Sequence, residues 1–203
     1  YELLDSGVFS EDRYFDVFVE YAKADTEDLL IRITVHNRGP ETATLHLLPT
    51  MWFRNTWSWT GGGTKPVLSR LAVDGCEVIH AHHTDPLFQT WLDDYYLYCG
   101  GDASLLFTEN ETNFERLFGT PNASPYVKDG FDSCLIHGRQ SAVNPLQTGT
   151  KAAPHYRLEV AAGGAQSVRL RLARTTPVKG GDNFAGFNEL FRTRIAEADA
   201  FYA

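Results

Sequence analysis

The chain has 203 residues, enough for one large domain or two small ones. A hydrophobic share of 43% with 22% charged residues is that of a globular protein able to bury a core, which excludes a disordered or fibrous chain. The 18 Lys and Arg against 26 Asp and Glu leave a net charge of −8 and no basic stripe, which argues against a nucleic-acid partner.

From its start the chain reads Tyr1-Glu2-Leu3-Leu4 without a Met, and it stops inside a helical pattern at Phe201-Tyr202-Ala203. Both ends read as cuts, so a piece of a longer protein is expected. Phe15, Val17, Val19 and Tyr21 alternate with Asp16 and Glu20; Leu29, Ile31, Ile33 and Val35 alternate with Arg32, Thr34 and His36. This period of two predicts two strands around a polar loop at 23–28. Asn37-Arg38-Gly39-Pro40 reads as a turn, and residues 42–48 as a third strand that Pro49 ends. The three strands are expected to form an antiparallel meander.

Residues 52–65 are irregular. Trp52-Phe53-Arg54-Asn55-Thr56-Trp57-Ser58-Trp59 holds three Trp, with Trp57 and Trp59 on one face if extended. Flat rings stack on sugar C–H surfaces while Arg54 and Asn55 bond hydroxyls; the same rings also suit the end of a sandwich or a domain interface. Gly61-Gly62-Gly63-Thr64-Lys65 lacks the spacing of a phosphate loop and reads as a turn. Residues 68–73 and 76–82 predict a hairpin across Asp74-Gly75, and 88–92 and 95–99 another across Asp93-Asp94. His80, His82, His83 and Asp85 invite a metal reading, since imidazole and carboxylate suit zinc. An exposed strand end carrying His is commoner, so no metal and no cofactor is expected.

Residues 104–108 predict a strand that leads into a long polar insertion. Phe107, Phe114, Leu117, Phe118 and Tyr126 stand there among Glu109, Asn110, Glu111, Asn113, Glu115, Arg116, Lys128 and Asp129. Long ordered insertions usually present a surface that something else touches. Glu109, Glu111 and Glu115 suggest paired glycosidase carboxylates, but such a pair must flank a bond from opposite sides, which clustering in one segment does not provide. Residues 133–137 read as a short strand. Residues 154–160 and 167–173 read as a last hairpin around Gly163-Gly164. In the tail Phe187, Leu190, Phe191, Arg194, Ile195 and Ala198 follow helical spacing, which predicts a helix from about Phe187 to the end, capped near Asp182 or Asn183.

Roughly ten strands at this spacing predict an all-β fold, an antiparallel β-super-sandwich with one C-terminal helix, divided as 1–180 and 181–203. Cys76, Cys99 and Cys134 are scattered and make no CxxC pair, which fits buried apolar thiols in a reducing, cytoplasmic setting. The Asn-x-Ser/Thr matches at Asn110 and Asn122 are common by chance. There is no signal peptide, and no apolar run nears the ~18 residues of a membrane helix, so no membrane partner is expected.

Four stretches, YELLDSGVFSEDRYFDVFVEYAKAD, LLIRITVHNRGPETATLHLLPTMWFRNTWSW, LLFTENETNFERLFGTPNASPYVKDG and GTKAAPHY, cover nearly the whole chain between them. They resemble the N-terminal region of bacterial proteins related to glycoside hydrolase family 63, which includes processing α-glucosidase and mannosylglycerate hydrolase relatives. The resemblance implies a β-super-sandwich placed before an (α/α)6-barrel catalytic domain, with the general acid and base on the barrel. No catalytic residue is therefore assigned to this chain, and the tail helix would begin the linker. The expected function is a non-catalytic domain of a glucosidase-like protein that packs on the barrel and walls the substrate pocket. Trp52, Arg54, Asn55, Trp57 and Trp59, with Asn110, Glu111, Asn113, Arg116, Tyr126 and Lys128, would face the barrel or an oligosaccharide. A free-standing carbohydrate-binding module is the alternative, as is a mutarotase-like epimerase, which would need His80 or His82 to meet Glu109, Glu111 or Asp85 in one cleft.

Overall fold

The computed structural model describes residues 2–57, 64–73, 75–83, 94–177 and 181–203. Among them two antiparallel sheets stack as a sandwich, the all-β architecture that the alternating pattern predicts. Strands β1 (Phe15–Asp25) and β2 (Asp28–Asn37) form the expected hairpin. The larger sheet runs in the order β1-β2-β11-β7-β6-β5-β9, with β5 (Val67–Val73), β6 (Cys76–His82), β7 (Tyr95–Cys99), β9 (Thr148–Gly149) and β11 (Ala165–Ala173). The smaller sheet is built on β10 (Lys151–Val160). It carries β3 (Ala43–Leu47) and β4 (Met51–Trp52) and, through a separate pairing, β8 (Ser104–Thr108). Ile33, Leu68, Ile79, Leu97 and Leu170 from the first sheet meet Leu105, Phe107, Ala152 and Tyr156 from the second in one core.

The meander ends after its second strand. β3 leaves β2 and pairs with β10 in the other sheet. The buried Asn37 fixes this corner: its Nδ2 donates to Glu41 O (2.7 Å) and Val160 O (3.0 Å), and its Oδ1 accepts from Gly39 N (2.9 Å). Alternation gives the face of a strand but not its neighbour, so the crossing is illegible in the sequence. The last hairpin is corrected for the same reason. Gly163-Gly164 does turn the chain, but β10 stays in the smaller sheet while β11 pairs with β2 and β7. Asn37 N donates to Gly164 O (3.0 Å), so the two sheet-changing corners are tied to each other. Between β3 and β4 the register with β10 is unbroken, which sets Pro49 opposite Pro154. Neither ring has an N–H to donate, and the ladder is interrupted there.

The strand predicted at 133–137 is instead helix α2 (Gly130–Leu135). Phe131 and Cys134 are buried three residues apart, a helical spacing that a short run of β-formers masks. The final helix, α3 (Phe187–Tyr202), begins where expected, but its cap differs. Gly186 in the left-handed conformation precedes it, and Asp182 serves the turn before, accepting from Phe184 N (2.9 Å). Phe187 and Phe191 pack on Ala22 and Leu30, on the outer face of β1 and β2. Ile195, Phe201 and Tyr202 continue the stripe and are exposed. The strand expected at 88–92 lies outside the described residues.

The Arg32 guanidinium sits over the Phe191 ring (4.4 Å) and reaches Glu20 with two 2.7 Å hydrogen bonds. Those bonds hold the Glu20 carboxyl below its ordinary value, against the opposing effect of burial. A carboxylate depressed in the folded state stabilises above its ordinary value and loses that contribution as pH falls through the lowered one. Glu20→Gln is thus expected to flatten the acid limb of the stability curve, with little change at pH values where Glu20 is already protonated. Thermal unfolding followed by circular dichroism across the acid range checks this.

Among the described residues an apolar surface of the larger sheet is left uncovered. Val17, Val19 and Tyr21 lie across from Val35, Ile33 and Ile31 on the inner side of the larger sheet, yet Tyr21 is 63% exposed. The smaller sheet does not reach over β1. Val19 and Tyr21 flank a groove of about 380 Å³ whose other wall is Leu47, Leu48, Pro49 and Met51. Among the described residues β1 is also a sheet edge, so its outward backbone groups have no ladder partner there.

Candidate functional site

The smaller sheet sets the site. β8 and the chain after β4 both end beside Thr150, the buried residue between β9 and β10. Thr150 N donates to Thr108 O (3.1 Å), and Phe53 N donates to Thr150 O (3.0 Å). Asn110 N donates to Thr150 Oγ1 (2.7 Å), which itself donates to Glu109 Oε2 (2.8 Å). The Asn110 side chain closes the link by donating to Phe53 O (2.9 Å). Two limbs of the insertion then run side by side, with Glu109 N on Tyr126 O and Lys128 N on Glu111 O, both at 2.9 Å.

This framework brings together residues far apart in the chain. Trp52, Arg54, Asn55 and Trp57 line an open cleft of about 720 Å³ with Asn110, Glu111, Phe114 and Lys128. Trp52 is 57% exposed. Asn55 Oδ1 and the Trp57 indole Nε1 are buried without a hydrogen-bond partner among the described residues. Lys65 places its ammonium 3.0 Å from Glu109 and 3.4 Å from Glu111. Lys128 Nζ donates to Thr112 Oγ1 (3.1 Å). The cleft therefore offers flat apolar rings, an amide, a carboxylate and cations, which suit polyhydroxylated or polar protein surfaces.

Asn113 and Arg116 line a second cleft of about 730 Å³ instead. Asn113 caps the short helix α1 (Phe114–Phe118) by accepting from Arg116 N (3.0 Å), and its Nδ2 donates to Asp129 (3.2 Å). The Arg116 guanidinium reaches the same carboxylate at 2.9 Å. Asn122 Oδ1 accepts from Phe114 N (2.8 Å) while its Nδ2 donates to Asn113 Oδ1 (3.0 Å). Tyr126 is half-buried and enters through its backbone carbonyl. Trp59 lies outside the described residues.

His80 and His82 share a face of β6, as predicted, but Asp94 meets them. Asp94 Oδ1 lies 2.8 Å from His80 Nε2 and 2.6 Å from His82 Nδ1. Burial would raise the Asp94 carboxyl; the His82 and His80 hydrogen bonds outweigh it and hold it below its ordinary value. His83 packs near Phe53, and Asp85 lies outside the described residues. The three thiols are free, and burial pushes all of them up. Sequence reasoning misses Lys65, Thr150 and Asp94. Asp94 is recoverable, because pairing Ala81 with Tyr95 places it opposite His82.

Fold and site together define an antiparallel β-sandwich with an aromatic and polar cleft at one end of its smaller sheet and an uncovered apolar groove at the edge of its larger one. No protein-family model matches the chain. It is 34% identical over 222 aligned positions to the uncharacterized protein YMR196W of Saccharomyces cerevisiae, an alignment that takes in 95% of this chain and 20% of that protein. The chain thus spans about a fifth of the length of the curated relative it matches. Among the described residues no helix is long and apolar enough to cross a membrane.

Proposed function

We propose that this chain is a non-catalytic β-sandwich domain of a longer, cytoplasmic glucosidase-like α-glycosidase, packing against an (α/α)6 catalytic portion of the same parent chain and helping wall its substrate pocket. The convergence of Trp52, Arg54, Asn55 and Trp57 with Asn110, Glu111 and Lys128 in one cleft carries this reading. These residues come from two of the stretches that resemble the family 63 relatives. The uncovered groove beside β1 and the bare second half of α3 support a large neighbour, since exposed apolar surface of this kind marks an interface. The three raised, free thiols support a reducing compartment.

The chain alone is expected to release no p-nitrophenol from an aryl α-glucoside. In the longer parent, Trp57→Ala and Glu111→Gln are expected to lower kcat/KM at least about tenfold, or about 1.4 kcal/mol of transition-state stabilisation each. Hydrolysis by the chain alone that disappears with Glu109→Gln would overturn the proposal. The exposed Trp52 ring at the cleft favours one second reading, a carbohydrate-binding module. Saturable heat with a malto-oligosaccharide, abolished by Trp52→Ala in a chain that folds normally, would select it. The epimerase is less favoured: His80 and His82 engage Asp94, whereas Glu109 and Glu111 engage Lys65.

A further inference from the structure

We infer that His80, His82 and Asp94 form a binding site for a divalent transition-metal ion of the zinc class, which pins the end of β6 to the start of β7. The two imidazoles are two residues apart on one strand and so rise from the same face. The register that pairs Ala81 with Tyr95 brings Asp94 across from His82. The three ligand atoms lie within 4.8 Å of one another, and both ring nitrogens point at the same carboxylate oxygen. Ligands around a tetrahedral ion with bonds of about 2.0–2.2 Å stand about 3.3 Å apart. The present 2.6 and 2.8 Å separations need to open by about 0.5–0.7 Å to admit the ion.

Two imidazoles and one carboxylate form a donor set for zinc, cobalt, nickel or copper rather than calcium or magnesium. Each imidazole must turn a lone pair inward; a proton held on that nitrogen leaves for the other ring nitrogen or for solvent. The Tyr96 ring stacks on His80 at 4.9 Å and 11°, which fixes one ligand plane in advance. Partly exposed ligands leave the remaining positions to water or to an oxygen of a bound molecule. The site is on the outer face of the larger sheet, so it stands independently of the reading of the cleft.

Zn2+ alone, titrated by calorimetry into the full chain freed of metal with a chelator, is expected to bind with one equivalent. Co2+ alone should give visible d–d bands of nitrogen and oxygen ligation. His82→Gln and Asp94→Asn should each weaken binding at least about tenfold. His46→Gln, at the separate pair where His46 Nδ1 lies 2.7 Å from His155 Nε2, should leave it unchanged. Should a variant fail to fold, Zn2+ must protect His80 and His82 of the unaltered chain from diethyl pyrocarbonate. No binding, binding that survives both substitutions or is lost with His46→Gln, or unprotected imidazoles would overturn the inference.

Discussion

Phe107→Ala is expected to destabilise the chain by about 3–5 kcal/mol, the cost of removing a large buried ring and leaving a cavity. Phe107 is 1% exposed, stands on β8 opposite Ala152, and joins the central core shared by both sheets. Ala152 is itself small and backbone-bound on β10, so it cannot swing in to fill the space. For a chain of this size the loss corresponds to a fall in Tm of about 6–20 °C. β8 leads directly into Glu109 and Asn110, so the cleft should loosen before the fold is lost. Urea unfolding and Tm give the magnitude; a loss below about 1 kcal/mol would mean that β8 is not part of the core.

The second large effect is expected at Gly149, for reasons of space and not of backbone freedom. A Cβ there would stand 2.2 Å from Thr108 O and 2.8 Å from Thr108 C. Both are backbone atoms, so β8 must retreat from β9, and the Thr150 N to Thr108 O hydrogen bond must lengthen. Gly149→Ala is expected to cost about 3 kcal/mol, at the upper end of overpacking, and to displace Glu109 and Asn110. Gly101 is the control. It has φ +81, and a Cβ there would meet nothing within 4 Å, so its Ala variant should cost only the left-handed penalty of about 1 kcal/mol. Equal Tm values for the two variants would contradict the account.

Much of the fold is legible in the sequence because one period dominates. The faces of β1 and β2, the hairpin of β5 and β6, and the start of α3 all follow from where apolar residues recur. Sheet membership is not legible. Whether β3 continues beside β2 is decided by the Asn37 side chain bonding Glu41 and Val160, the second of these more than a hundred positions away. The same limit hides α2, where Phe131 and Cys134 carry the helical spacing in too short a run to outweigh local strand propensity. At the cleft, residue types are readable but partners are not. Trp57 and Glu111 can be named from sequence, whereas Thr150 and Lys65, which organise the strands and carboxylates around them, have no motif. Asn113 and Arg116 look like surface groups of the same kind, but Asn113 caps the start of α1 and both side chains bond the Asp129 carboxylate.

Hydrogen exchange, compared between this chain alone and the same residues within the longer parent, tests the domain reading most directly. The outward amides of β1 and those of residues 110–128 are expected to exchange more slowly in the parent, while the already buried β10 stays the same. Identical exchange across β1 and the cleft in both forms would contradict it.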